Sequence, residues 1–147
     1  SGWHNLPQFD PDGAKYDQQP GVAFAAADVT VTDALDGLAM DLAPAYGSVP
    51  GLGRYRRSVH LTDTGLTLRD ETDYPGTVAL TLMSVEKPAV DGDTVAFGAL
   101  AAAAVTGADK IVTEAVPITD PRLRQAWPDT IYRTRIYFTQ QLSLVIE

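Results

Sequence analysis

The chain alternates. In "DVTVTD", Val29 and Val31 point one way while Asp28, Thr30 and Thr32 point the other, the period of two expected of a strand with one buried face. "LAMDLA" sets Leu38, Met40 and Leu42 against Asp41. In "YRRSVHLTD", Tyr55, Arg57, Val59 and Leu61 share one face, and Arg54, Arg56, Ser58 and His60 share the other. "GLTLRDE" and "TVALTLMSVE" continue the pattern, and "TIYRTRIYFTQQLSLVIE" places Tyr132, Ile136 and Phe138 opposite Arg133 and Arg135. The interruptions are "DPDG", "DALDG", "GSVPGLG", "DTG", "DYPG", "VDGD" and "TGADK", all turn chemistry. Short alternating segments so punctuated predict an all-β fold, an antiparallel β-sandwich.

Two stretches depart from alternation. "TDPRLRQAW" predicts one short helix near residues 120–126, with Thr119 or Asp120 as cap, Pro121 in the first turn and Pro128 as stop. "VAFGALAAAAV" reads two ways: its alanines favour helix, while Val95, Phe97 and the flanking turns favour a strand followed by irregular chain. No repeat, linker or low-complexity tail divides the 147 residues, so residues 1–147 read as a single domain. The apolar run Ala96 to Val105 is about half the length of a membrane span. There is no cysteine, so thiolate metal sites and disulfides are excluded and the compartment is left open. Nineteen acids against eleven bases give a net charge of −8. That balance argues against a nucleic-acid partner, which needs clustered Lys and Arg, and mildly against a polyanionic ligand.

No nucleophile elbow, phosphate loop, dinucleotide fingerprint or zinc-finger spacing occurs. The chain has two histidines, His4 and His60. His60 and Asp28 both fall on the polar parity of their strands. Two imidazoles, one carboxylate and a water make a chemically sensible tetrahedral zinc site; the competing reading is two unconnected surface histidines. Tyr46, between a strand and a Gly/Pro-rich loop, is a phenol that a strand end can present to a ligand and that can pass a proton. Its competing reading is a side chain covering the sheet edge. Trp3, Trp127 and the tyrosines can serve as a sugar-stacking platform or as lids on the core.

Taken in order, the segments resemble the C-terminal β-sandwich of heparinase II/III-like polysaccharide lyases. "WHNLPQFDPDGAKYDQQPG" is similar to that family's opening histidine–asparagine segment, and "VAFAAADV" to the strand after it. "MDLAPAYGSVPGLGRYRRSVHL" resembles its alanine–tyrosine and arginine strand segment, "TGLTLRDET" the next strand, and "DPRLRQAWPDTIYRTRIYF" the closing one. The similarity extends over nearly the whole chain.

The resemblance implies a supersandwich-like fold in a larger lyase that carries a separate N-terminal α/α-toroid, absent from this chain. Such enzymes cleave uronate-containing acidic polysaccharides by β-elimination: a base removes the C5 proton, the 4-O bond breaks, and the uronate carboxylate must be neutralised meanwhile. By the same resemblance His4, Asp28 and His60 are the ligands of a structural Zn2+, with Asp17 also in range for the acidic position, and Tyr46 is the catalytic acid/base. Arg54, Arg56 and Arg57 are the local cations available to the substrate. The expected partners are an acidic polysaccharide and the toroid, with no nucleic acid and no membrane span. The remaining catalytic groups belong to the toroid, so the domain alone is expected to be inactive. The alternative function is a stand-alone carbohydrate-binding or structural module without catalysis.

Overall fold

A computed structural model describes residues 2–147, and the described residues form ten strands. In chain order these are β1 (Pro7–Phe9), β2 (Ala27–Val31), β3 (Gly37–Asp41), β4 (Tyr55–Leu61), β5 (Leu66–Thr72), β6 (Val78–Ser84), β7 (Pro88–Asp91), β8 (Thr94–Phe97), β9 (Ala101–Pro117) and β10 (Thr130–Ile146). Every pairing is antiparallel. The strands make one open sheet in the order β2-β3-β4-β5-β10-β9-β8-β7, with β6 and β1 branching from β10. The all-β antiparallel class read from the alternation is therefore the class of the fold.

The fork lies within β10, a strand rich in β-branched and aromatic residues. Its first half pairs with β6 from Tyr132↔Ser84 to Phe138↔Val78. Its second half pairs with β5 from Gln141↔Glu71 to Ile146↔Leu66. β9 follows both halves along the other edge, with register shifts around Phe138 and Ser143. The exchange of partners happens where Gln140 adopts φ 59° and Gly107 adopts φ 88°. A Cβ on Gly107 would come within 2.6 Å of the Gln141 carbonyl oxygen, so this irregularity needs glycine.

Inward-facing positions of both branches feed one core. Val78, Leu80, Ile136 and Phe138 come from the β6 branch, and Tyr55, Leu142 and Leu144 from the other. Phe9 sits at their junction, fully buried. It meets Tyr46, Tyr74 and Tyr55 edge-to-face at centroid distances of 4.8, 5.2 and 5.5 Å. Aromatic pairs of this geometry each contribute about 0.5–1.5 kcal/mol beyond their area.

The alanine-rich stretch resolves into a turn and a strand. β8 ends at Phe97, and β9 starts at Ala101 and pairs with β8 through Ala101, Ala102, Ala103 and Ala104. Helix propensity loses because Ala103 and Val105 are buried against the core, where small side chains suit close packing between strands. The expected helix near residues 120–126 shrinks to a single 3-10 turn at Leu123–Gln125. The Asp120 carboxylate does accept from the Arg122 backbone N–H at 2.8 Å, but Pro128 and the return of β10 at Thr130 leave no room for a second turn.

Candidate functional site

The segment 118–129 connects β9 to β10 and is folded on itself. Ile118 N–H donates to the Asp129 carbonyl and Trp127 N–H to the Leu123 carbonyl, both at 2.9 Å, and Arg124 bonds the Asp129 carboxylate. The result props Leu123 and Trp127 outward; Trp127 is 49% exposed. The chain's opening residues reach the same place by another route. β1 pairs with β6, Pro7 against Leu80, which carries the preceding residues to the far end of β6. Trp3 is fixed there by Arg133, whose guanidinium lies 4.0 Å from the indole centroid and donates from Nη1 to the Gly2 carbonyl at 2.8 Å. Arg133 is itself held by Glu114 of β9.

Trp3 and Trp127 thus border one cleft of about 580 Å3, together with His4, Met83, Val116 and Leu123. Its walls are mainly apolar, and Trp3 remains 54% exposed. With Arg133 over one face of the indole, the rest of the ring is available to a ligand. The imidazole of His4 and the hydroxyl of Ser84 are polar groups on this wall. An apolar cleft with few polar groups is the ordinary form of a binding site.

The proposed zinc ligands do not come together. His4 lines the tryptophan cleft. His60 borders a shallow depression on β2–β4 with Thr30, Gly37 and Ser58. There its Nδ1 lies 3.9 Å from the Asp36 carboxylate, whose pKa is lowered chiefly by a 2.5 Å hydrogen bond from the Thr32 hydroxyl. Asp28 occupies the irregular start of β2 at φ 48°. Asp17 accepts from Gly2 N–H at 3.1 Å and from Gln8 Nε2 at 2.9 Å. Among the described residues no three His, Cys, Asp or Glu side chains converge. His4, Asp28 and His60 do not fit a shared ion, and no step of the chemistry is assigned to one.

Tyr46, expected at a solvent-exposed strand end, is 2% exposed. After β3 the chain turns through a 3-10 helix at Ala43–Tyr46. That turn swings the phenol inward over Phe9, and its hydroxyl donates to the Pro7 carbonyl at 2.5 Å. It is a packing residue that ties the 3-10 turn to β1.

Arg57 departs from expectation in the same way. Its Nε donates to Asp70 Oδ1 at 2.7 Å, its Nη2 to Asp70 Oδ2 at 2.6 Å, and its Nη1 to the Asn5 carbonyl at 2.8 Å. Tyr55 donates to Asp70 Oδ2 at 2.6 Å. Asp70 is fully buried and Arg57 nearly so. Burial disfavours the charge of Arg57, but the bonds and attraction from Asp70 outweigh it and hold the guanidinium protonated. Burial first, and Asp70 second, push the Tyr55 phenol well above its usual range. Arg57 is therefore a structural cation, closed to substrate.

Arg56 points to the opposite face from Arg57, between Asp41 and Glu71 in register. Arg54 lies at the loop edge, where its backbone N–H donates to Asp73 at 2.9 Å. The three arginines form no common patch.

The residues that build the cleft were legible singly and not as a set. The parity of "YRTRIYF" does put Arg133 and Arg135 on one face, away from Ile136 and Phe138. Nothing local signals that β6 would bring Met83 and Ser84 beside Trp3. In comparisons with known proteins, no family model matches the chain and no curated protein matches it. The fold and the cleft define an antiparallel β-protein with a tryptophan-bordered apolar cleft.

Proposed function

We propose that this chain is a carbohydrate-binding β-domain, the C-terminal part of a heparinase II/III-like polysaccharide lyase, and that its share of the work is to hold the sugar chain. The observation that carries the reading is the pairing of Trp3 and Trp127 across one cleft with His4 beside them. Indole rings offer flat apolar faces to the C–H face of a pyranose, and a few polar groups fix its orientation. The order of the motifs supports assignment to the lyase.

In this reading the reaction is β-elimination. The C5 proton passes to a base, the C5–H electron pair forms the C4–C5 double bond, and the C4–O4 bond breaks with its electron pair on O4, which takes a proton from an acid or from water as the leaving sugar departs. Tyr46 is too deeply buried to touch that proton, so base and carboxylate neutraliser come from the toroid that full-length lyases of this kind carry.

The test is calorimetric titration with defined alginate, heparin and neutral oligosaccharides. Trp3→Ala and Trp127→Ala should each weaken binding by about tenfold or more, the scale of a buried aromatic anchor, and the domain alone should release no ultraviolet-absorbing unsaturated product. Absence of saccharide binding, or binding indifferent to both substitutions, overturns the reading. The burial of Tyr46 favours a second reading, a binding module with no lyase partner. Unsaturated uronate release by the full-length protein separates the two.

A further inference from the structure

Trp3 also borders a second hollow, of about 340 Å3, and the character of its walls is opposite: Gln8, Lys15, Asp17, Arg133 and Arg135 surround it. Three of the chain's eleven basic side chains meet here, although the chain as a whole carries −8. Two carboxylates stand near them, and both are already engaged. Asp17 accepts from Gly2 and Gln8, and Glu114 is bound by Arg133.

Arg135 is left over. Its Nε is shielded from solvent and has no hydrogen-bond partner. The Glu114 carboxylate is 3.8 Å from it, beyond hydrogen-bond range. Its register partner on β6 is Thr81, which is 1% exposed and whose hydroxyl is likewise unpaired. Two register-paired residues each holding a buried polar atom without a partner are unusual in a folded protein. The sequence places Arg135 here by parity, since Arg133, Arg135 and Tyr137 share the face of β10 opposite Ile136 and Phe138.

We propose that this hollow is an oxyanion site in which Arg135 and Lys15 hold a single carboxylate or sulfate group. The planar guanidinium fork of Arg135 matches the paired oxygens of such a group, and Lys15 supplies a second positive charge on an exposed loop. Arg133 frames the site and is already committed to Glu114, Gly2 and Trp3. The inference does not rest on the saccharide reading; it needs only the hollow and its cations. The group can belong to a free small anion or to a larger acidic chain lying along Trp3.

The experiment uses the whole chain carrying Trp127→Phe, so that fluorescence reports Trp3 at the rim. Sodium sulfate and sodium acetate are titrated at ionic strength held constant with sodium chloride, which removes general screening. A saturable change is expected. Lys15→Ala and Arg135→Met should each weaken it by about tenfold, the scale of a charge-assisted contact, and Arg69→Ala, on β5 and outside the lining of the hollow, should leave it unchanged. No saturable response to either anion, or responses that persist in both variants, overturns the proposal. Lys15 lies on an exposed loop, so its variant decides the matter even if the Arg135 variant folds poorly. Paired oligosaccharides, one bearing a uronate and one its neutral counterpart, titrated calorimetrically into the chain with Trp127 intact, then assign the source. Tighter binding of the uronate than of acetate means an anion carried on a chain, and equal binding means a free anion. If sulfate and acetate bind but neither oligosaccharide does, the oxyanion site stands and the saccharide reading falls.

Discussion

Arg57 and Arg135 occupy interior strands of the two branches of the sheet, each with a carboxylate within 4 Å, and they are treated in opposite ways. Arg57 donates three hydrogen bonds, two to Asp70 and one to Asn5, and the bonded carboxylate takes a further bond from Tyr55. Arg135 has its Nε shielded and unpaired. A buried charge whose three nitrogens each have an acceptor is a structural fixture, because it is closed to any ligand. A largely covered charge with unmatched donors, at the wall of a hollow, retains capacity for a ligand. The comparison also explains why charge type alone misleads: from composition the two arginines are equivalent, and only their partners divide them.

The largest expected effect falls on the matched pair. Asp70→Ala leaves Nε and Nη2 of Arg57 and the Tyr55 hydroxyl buried without their acceptor, and should destabilise the fold by about 3–5 kcal/mol, as for other broken interior ion pairs. Urea denaturation measures it. A loss under about 1 kcal/mol would mean that water reaches Arg57, and the contrast with Arg135 would collapse.

Much of that contrast was written in the sequence. Alternation in "YRRSVHL" puts Arg57 on the side of Tyr55 and Val59, which is the buried side, and the substrate role given to it set that parity aside. The strands themselves were legible because turn residues bracket each period-two segment. Three features were not. The inward turn of Tyr46 comes from a 3-10 helix, which carries no period-two signal. The second strand within the alanine run is fixed by what covers Ala103 and Val105, a tertiary matter. The two sites around Trp3 depend on β1 docking against β6 and on β10 changing partners, and no local pattern encodes that exchange.

Tyr46 gives the intermediate effect and sharpens the comparison on a neutral group. Its hydroxyl is the hydrogen-bond donor to the Pro7 carbonyl. Tyr46→Phe keeps the ring against Phe9 and leaves that buried acceptor short of a donor, so the expected cost is about 1–2 kcal/mol, read as a lower denaturation midpoint with unchanged slope. A catalytic phenol at the surface would cost nothing on removal, so a variant as stable as the parent would reopen the accessible role that burial denies it.

The smallest effect is expected where sequence composition would suggest a large one. Arg135→Met removes a charge from the middle of β10, yet the arginine returns little to the fold. Its contact with Glu114 spans 3.8 Å, and Glu114 keeps Arg133 as its partner after the change. Its stem and Tyr137, whose ring centroid lies 5.4 Å from the guanidinium carbon, meet an unbranched apolar replacement of similar length. The substitution also removes a shielded donor that has no acceptor, and replacing poorly matched interior charge by apolar surface is commonly neutral or stabilising. Stability should therefore stay within about 0.5 kcal/mol of the parent or rise, measured in the same urea titration, while oxyanion binding weakens about tenfold. A residue whose removal spares the fold and weakens binding is held for function. A destabilisation above about 2 kcal/mol would mean that Arg135 has partners as firm as those of Arg57, and the division between the two arginines would then be one of degree.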